Sequence, residues 1–224
     1  MDFSTPTKPS FATRFPALKS RGSCRGFAVY QDRAVVFESH LELMVLFILA
    51  LLPNTAAVID QPPAVTYTDD NGCLRRHTFD YLVIGHDSTR ALVAVKPAAK
   101  VAESGIQRIV QLIAEQLPRG TADTVHLITD AHFSYADRFN AVQAFECCRF
   151  PIGEHHDAIA NLASQLLGAV RICDLVDASG LGGMGFRAII RAMTYGLLKP
   201  VLPGRRITPD SYVVRPDRTE PTVS

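Results

Sequence analysis

Hydrophobic positions along the chain follow two spacings, one typical of strands and one typical of helices. Short apolar stretches rich in β-branched and aromatic residues predict strands at Phe27–Val29, Val58–Thr68, Leu74–Gly85, Ala91–Lys96, Thr124–Thr129 and Ile207–Val214. Helical spacing or a longer apolar run predicts helices at Ser39–Leu52, Ser104–Leu117, Ser134–Phe150, Asp157–Val170, Ile172–Ala178 and Met184–Leu198. The turn sequence Asp69-Asp70-Asn71-Gly72 joins the second and third strands, so these two strands are predicted to form a hairpin.

The order of these elements predicts an α/β fold with a mixed sheet flanked by helices. After the first helix come a hairpin and a β-α-β crossover, which places antiparallel and parallel strands in one sheet. From Pro151 onward the pattern changes to three helices and a terminal strand, an order that resembles a winged helix-turn-helix. We therefore predict a flexible basic tail at residues 1–26, a mixed α/β domain at 27–150 and a winged-helix-like α domain at 151–224.

Composition and charge exclude several classes of protein. The chain has 224 residues, of which 47% are hydrophobic and 20% charged, and its net charge is +1. It is therefore neither a disordered chain nor a uniformly basic nucleic-acid coat protein. Residues 34–148 hold eight basic and thirteen acidic side chains, an excess that either a metal site or an uneven surface charge explains.

We also expect the chain to be neither a membrane protein nor a disulfide-rich protein. The longest apolar run, Leu43–Leu52, has ten residues, whereas a membrane span needs about 20. The N-terminus lacks the apolar stretch of a signal peptide. The five cysteines are odd in number and form no C-x-x-C pair, so neither a zinc site nor a disulfide framework follows. We expect a soluble protein of the reducing cytoplasm, with no membrane contact.

Two carboxylates and one lysine are ordered along the chain as a phosphodiester-hydrolysing site requires. Glu42 lies near the start of the first helix, Asp80 lies in the hairpin and Lys96 ends the next strand. Carboxylate oxygens hold Mg²⁺ or Mn²⁺, and the metal polarises the phosphoryl oxygen and activates water. A nearby lysine offsets the charge that develops on the phosphorane. Taken singly, Glu42 also completes a Ser39-x-x-Glu42 capping box, and Asp80 and Lys96 also fit solvated positions.

The segment from Phe37 to Pro97 resembles the TnsA-like transposon endonucleases of the PD-(D/E)XK nuclease superfamily. It reads FESHLE…DQPPAVTY…HTFDYLVIG…ALVAVKP, with an E-S-x-L-E helix start, the Gln61-Pro62 step into a strand and a final V-K-P. The C-terminal helices resemble that family's winged-helix extension. The resemblance implies a restriction-endonuclease-like sheet, a bound Mg²⁺ or Mn²⁺ and cutting of one strand of double-stranded DNA. It also implies work alongside a DDE-type transposase and an ATP-dependent transposition regulator.

The same resemblance implies a role for each matching residue. Glu42 and Asp80 would ligate the metal, and the Val95 carbonyl would be a further ligand. Lys96 would be the catalytic lysine. Glu38 lies one turn before Glu42 on a similar helix face and competes with it for the first role.

Two positions depart from the family pattern, and they leave other functions open. Phe79 stands where the family has proline, and Ala94 stands where it has Glu or Gln, two residues before the lysine. Alanine cannot ligate a metal. The first alternative is therefore a catalytically impaired DNA-binding or assembly module with a nuclease fold. A second is a transcription regulator that acts through its winged helix.

Basic residues in the C-terminal region predict a DNA-binding surface. Arg187 and Arg191 are four residues apart and share one face of the Met184–Leu198 helix, which would be the recognition helix. Arg205 and Arg206 would lie at the wing and contact phosphates. A solvated basic face or a docking surface for partner proteins also fits this pattern.

Overall fold

Strands and helices alternate through residues 6–13 and 24–216, the parts of the chain that the computed structural model describes. The predicted α/β class and the mixed sheet flanked by helices are confirmed. Contacts divide the chain into two units, Met1–Phe133 and Ser134–Ser224. Within the described ranges, every helix is too short or too polar to cross a membrane.

The first unit consists mainly of strands. One helix precedes the central sheet, and two helices precede the last strand of that sheet. In chain order its elements are β1 (Gly26–Tyr30), β2 (Arg33–Phe37), α1 (His40–Ala50), β3 (Thr55–Asp60), β4 (Val65–Thr68), β5 (Leu74–His77), β6 (Tyr81–Gly85), β7 (Arg90–Val95), α2 (Ala98–Ser104), α3 (Ile106–Gln116) and β8 (Thr124–Ile128). The predicted helix over Ser104–Leu117 begins after Gly105, whose φ of +61° separates α2 from α3.

The central sheet has the strand order β3-β6-β7-β8. Its first two pairs are antiparallel and β7 pairs with β8 in parallel, joined through α2 and α3 as the predicted crossover. The predicted hairpin is present but divided into two sheets, because β3 pairs with β6 whereas β4 pairs with β5. Pro62 and Pro63 lie between β3 and β4, and proline has no N–H for the ladder.

Both faces of the central sheet are buried, each against its own helix. Tyr81 and Val93 pack on one face with Val45 and Leu46 of α1. The opposite face packs against α3 and the β4–β5 hairpin, with a core formed by Val65, Tyr67, Phe79, Leu82, Leu92, Ala94, Ile106, Val110, Leu112 and Ile113. The sheet is therefore closely packed on both sides.

Residues 6–13 lie against the first unit, which differs from the flexible tail that we predicted for residues 1–26. The hydroxyl of Ser10 and the N–H of Phe11 donate hydrogen bonds to the carboxylate of Asp60. The N–H and hydroxyl of Thr13 donate to the carbonyl of Gln61, at 3.2 and 3.1 Å. Of the other residues of the predicted tail, 1–5 and 14–23 lie outside the described residues, and Gly26 begins β1.

Replacing Asp60 with alanine is expected to destabilise the first unit. Asp60 is fully buried and also accepts a hydrogen bond of 2.7 Å from the N–H of Val36 in β2. Its loss leaves that N–H and the docked segment without an acceptor, which costs about 2–4 kcal/mol of unfolding free energy. Urea denaturation followed by circular dichroism measures the change. Asp32→Asn, at an exposed position whose φ of +62° asparagine tolerates, should change the denaturation midpoint little.

The second unit is helical with a small sheet. In chain order its elements are α4 (Tyr135–Cys148), α5 (Gly153–Ser164), β9 (Val170–Arg171), α6 (Ile172–Ser179), α7 (Gly183–Thr194), β10 (Lys199–Pro200) and β11 (Tyr212–Val214). β11 lies between β10 and β9 and is antiparallel to both. Helices α5, α6 and α7 enclose a core that includes Ile159, Leu175 and Ile189.

Helix α4 belongs by its contacts to the second unit, although the sequence placed it before the predicted boundary at Pro151. Two arginines of α7 donate hydrogen bonds to carbonyl oxygens near the end of α4: Arg187 to Glu146 at 2.6 Å and Arg191 to Cys147 at 3.1 Å. These bonds satisfy carbonyl groups that a helix end leaves without a partner. An amphipathic pattern does not reveal which neighbour a helix packs against, so the sequence could not place this boundary.

Candidate active site

One end of the central sheet brings together residues that are distant in sequence. Because β6 runs antiparallel to β3 and β7, its start lies at the same end as the last residues of those strands. Asp80 directly precedes β6, Lys96 directly follows β7 and Gln61 directly follows β3. The N–H of Gln61 donates a hydrogen bond of 2.9 Å to the carbonyl of Asp80. The fold therefore places an acid, an amide and a lysine at this end of the strands, which is called this edge of the sheet below.

The start of α1 adds two glutamates to this group. Ser39 caps the helix: its Oγ accepts from the Glu42 N–H at 3.2 Å and donates to Glu42 Oε1 at 2.9 Å. Glu42 Oε2 accepts from the N–H of Glu38 at 2.6 Å. Ser39 therefore caps α1 as predicted, while the Glu42 carboxylate bonds the Ser39 hydroxyl and the Glu38 N–H. Burial raises the pKa of Glu42 above its ordinary value, and these hydrogen bonds oppose that rise.

Asp80 has the most perturbed carboxyl group of the site. Burial first, and then the charge of Glu42, raise the pKa of Asp80 from 3.8 to about 7. Two influences oppose this rise, the N–H of Val95, which donates to Asp80 Oδ2 at 2.6 Å, and the charge of Lys96. Glu38 adds a smaller repulsion. Glu38, Glu42 and Lys96 are thus near enough for their charges to act on Asp80.

Lys96 influences a second titratable group, His77 at the end of β5. Burial lowers the pKa of His77, and the positive charge of Lys96 lowers it further. The ring of His77 also packs edge-on against Phe79, with centroids 4.8 Å apart. The Lys96 backbone is fixed by a hydrogen bond of 3.0 Å from its N–H to the carbonyl of Ile128. Both influences on the pKa favour the neutral form of His77.

The strand before Lys96 offers backbone groups and no side-chain ligand. Ala94 is 2% exposed and packs in the core beneath α3, with Leu82 and Leu92 as neighbours in that cluster. Val95 packs on the α1 face, and its N–H is used by Asp80. Any ligand from Val95 would be its carbonyl oxygen, which is the group that the family resemblance implies.

Gln61 lies at this edge too, and the sequence analysis predicted no functional role for it. It is 4% exposed, and its Nε2 donates a hydrogen bond of 2.9 Å to Glu38 Oε1. Its Oε1 is buried and has no hydrogen-bond partner. The available signal was its position between an apolar strand and two prolines, which marked the end of β3.

The donor set at this edge suits a hard divalent cation that keeps some of its waters. Among residues 6–13 and 24–216, no three His, Cys, Asp or Glu side chains are close enough together to hold a metal ion. Asp80 and Glu42 supply carboxylate oxygens that repel each other, and Gln61 supplies a buried oxygen without a partner. Mg²⁺ and Mn²⁺ take oxygen ligands, and Mg²⁺ is typically held by one or two carboxylates plus water.

The four arginines predicted to bind DNA fall into two groups. Arg191 is 1% exposed and cannot contact DNA while α4 and α7 stay packed, so its predicted role is replaced by a structural one. Arg187 is half-buried and donates to the carbonyl of Glu146. Arg205 and Arg206 are exposed between β10 and β11. Their positions leave these two able to reach a phosphate.

Arg191→Ala is expected to destabilise the second unit by about 1–2 kcal/mol, because the cavity left in a closely packed helix interface outweighs the relief of two buried guanidinium nitrogens without partners. Arg205→Ala should leave stability unchanged, since that side chain is exposed. Urea denaturation of both variants measures the difference. Equal midpoints for Arg191→Ala and the unaltered chain would contradict the structural role of Arg191.

Comparison of the chain with protein-family models and with curated proteins gives no match. Function is therefore inferred from the chemistry of the site.

Proposed function

We propose that this chain is a metal-dependent DNA endonuclease of the TnsA type, in which Glu42, Asp80 and Lys96 hydrolyse a phosphodiester on one DNA strand. One observation carries the proposal: a desolvated aspartate, repelled by a neighbouring glutamate, lies at the same sheet edge as a lysine. Perturbed carboxyls with a specific charged neighbour are typical of catalytic sites.

The residues divide the work of hydrolysis among them. Mg²⁺ or Mn²⁺, when bound, supplies polarisation of the phosphoryl oxygen and a water of lowered pKa. Asp80 and Glu42 would hold the ion, with the Val95 carbonyl as a further ligand. The N–H of Val95 fixes the orientation of Asp80, so the carboxylate does not have to reorganise during reaction. Lys96 provides positive charge where negative charge develops on the phosphorane.

The architecture supports the same proposal. We interpret the mixed sheet between α1 and α3 as a restriction-endonuclease-like domain. We interpret α5, α6 and α7 with the β9–β11 sheet as a winged-helix domain, in which the segment between β10 and β11 is the wing. A DDE-type transposase and an ATP-dependent regulator are the partners that the TnsA resemblance implies. The five cysteines are free, which is compatible with a reducing cytoplasm.

The wing offers the surface that best suits double-stranded DNA. Arg206 lies over the rings of Phe139, at 4.0 Å, and Tyr135, at 5.6 Å. These rings orient its guanidinium group, and Arg205 is exposed beside it. Two exposed arginines give contacts with phosphates that weaken as salt rises and carry no sequence information.

A plasmid-nicking experiment tests the proposed function. The purified chain is incubated with supercoiled plasmid and Mg²⁺ or Mn²⁺, alone and with candidate transposase partners. Open-circular DNA should accumulate, EDTA should stop its formation and excess Mn²⁺ should restore it. Nicking that continues unchanged in EDTA would contradict a metal-dependent mechanism.

A second candidate function follows from Ala94, which places no oxygen at this edge. In that case the chain would be a DNA-binding or assembly module that keeps the nuclease architecture without catalysis. It would bind duplex DNA, fail to bind Mn²⁺ at Asp80 and leave plasmid intact under every condition. Isothermal titration calorimetry with Mn²⁺ separates it from the endonuclease.

A further inference from the structure

The side chain of Gln61 has one satisfied end and one unsatisfied end. Nε2 donates to Glu38 Oε1 at 2.9 Å, which fixes the orientation of the amide because an oxygen there would meet the carboxylate. Oε1 is buried without a hydrogen-bond partner. A buried polar atom without a partner costs about 1–3 kcal/mol, and such atoms in native proteins often mark a ligand site.

The backbone of Gln61 is also held in an unfavourable conformation. Its φ is +40°, in the left-handed region that non-glycine residues seldom adopt. Hydrogen bonds on both sides maintain it: its N–H donates to Asp80, and its carbonyl accepts from Thr13. Residues held in such conformations by their surroundings concentrate at active sites and ligand clamps.

Gln61 is hydrogen-bonded to two acidic residues of the candidate site. It is bonded through its backbone to Asp80 and through its side chain to Glu38, whose charge acts on both Asp80 and Glu42. On the other side of Asp80, the N–H of Asp80 donates to the carbonyl of Val93, next to Ala94. Residue 94 therefore neighbours Asp80 but has no oxygen to offer. An uncharged amide oxygen adds a ligand without adding a further negative charge.

We propose that Gln61 Oε1 is a ligand of the divalent cation and supplies the oxygen that residue 94 lacks. This inference rests on the proposed function, since it assigns a residue to the same metal site. A neutral amide oxygen is a suitable ligand for a hard cation. The bond from Nε2 to Glu38 positions the amide before the ion arrives.

Two substitutions of Gln61 in the full chain test this ligand, with the dissociation constant of Mn²⁺ as the readout. Electron paramagnetic resonance of free Mn²⁺ gives that constant without any DNA. Gln61→Met keeps the length of the side chain but offers only a soft thioether, so Mn²⁺ should bind at least about tenfold more weakly. Gln61→Glu keeps an oxygen, so Mn²⁺ should bind as tightly as to the unaltered chain or more tightly. Circular dichroism in EDTA verifies that both variants fold.

The Gln61→Glu variant shows whether Gln61 is a metal ligand or only supports Glu38. Both substitutions abolish the donor to Glu38, so a supporting role predicts equally weak Mn²⁺ binding for both. That result, or Gln61→Met binding Mn²⁺ within about twofold of the unaltered chain, overturns the inference. Asp80→Asn in the same titration separates the two proposals. If Asp80→Asn leaves Mn²⁺ affinity unchanged, the proposed function fails, and the assignment of Gln61 fails with it. If Asp80→Asn abolishes binding while Gln61→Met does not, only the assignment of Gln61 fails.

Discussion

Asp80→Asn is expected to abolish DNA nicking and, at the same time, to stabilise the metal-free protein at pH 8. Asparagine keeps the shape of aspartate and an oxygen for the Val95 N–H, but it lacks the negative charge that holds a divalent cation. Loss of the metal's contribution should lower the nicking rate by at least about 10³-fold. A simultaneous gain in stability would exclude unfolding as the reason for the lost activity.

The gain in stability follows from the raised pKa of Asp80. The folded chain holds this proton with a pKa of about 7, compared with an ordinary value of 3.8. A raised carboxyl pKa contributes stability that is fully present below about pH 4, is lost between about pH 4 and pH 7, and stays lost above. Asparagine does not titrate, so the variant should be about 2–4 kcal/mol more stable at pH 8 and nearly equal at pH 4.5.

Urea denaturation in EDTA at the two pH values measures this effect. Mn²⁺ should then raise the midpoint of the unaltered chain at pH 8 and leave that of Asp80→Asn unchanged. Glu115→Gln, at an exposed position of α3, is the matched control and should change neither nicking nor pH dependence. Equal stability of Asp80→Asn and the unaltered chain at pH 8 would show that Asp80 is not desolvated.

Lys96→Met is expected to slow nicking while leaving metal binding intact. Lys96 acts on Asp80 only as a minor opposing charge, so its removal should change the Mn²⁺ dissociation constant little. If it stabilises charge in the transition state, its loss should lower the rate at saturating Mn²⁺ by about 10²–10³-fold. Single-turnover nicking and a Mn²⁺ titration of the same preparation give the two quantities.

Lys100→Met is the control for this comparison of nicking rate with Mn²⁺ binding. Lys100 is an exposed residue of α2, four positions after Lys96, and should retain the full nicking rate. A Lys96→Met variant that nicks as fast as Lys100→Met would remove the lysine from the mechanism. A Lys96→Met variant that loses Mn²⁺ binding would instead indicate that the side chain supports the metal site.

Local chemistry allowed most elements of the first unit to be predicted, whereas interruptions and packing partners were harder to predict. The hairpin turn at Asp69–Gly72 and the crossover through α3 are encoded within short windows, and both are present. The division of the hairpin depends on Pro62 and Pro63, whose effect on pairing could have been recognised. The assignment of α4 to the second unit depends on bonds to Arg187 and Arg191, which are some forty residues away.

The candidate site could likewise be predicted only in part from the sequence. Spacing on a helix correctly placed Arg187 and Arg191 on one face of α7, but it could not indicate that this face packs against α4. The convergence of Asp80 and Lys96 follows from strand order and was predictable. The orphaned oxygen of Gln61 results from a backbone turn with φ of +40° and a bond to Glu38, and neither is visible in a hydrophobic pattern.

The proposed mechanism requires Glu42, Asp80 and Lys96 to surround a divalent cation. A crystal of the full chain grown or soaked with Mn²⁺, with data collected near the manganese absorption edge, shows whether they do. We predict one anomalous peak at bonding distance from a carboxylate oxygen of Asp80, with Glu42 on the same ion and the Lys96 amine beside it. Two results would contradict the proposed endonuclease function. One is well-ordered Asp80 and Glu42 side chains without such a peak at saturating Mn²⁺, and the other is a peak found only elsewhere on the chain.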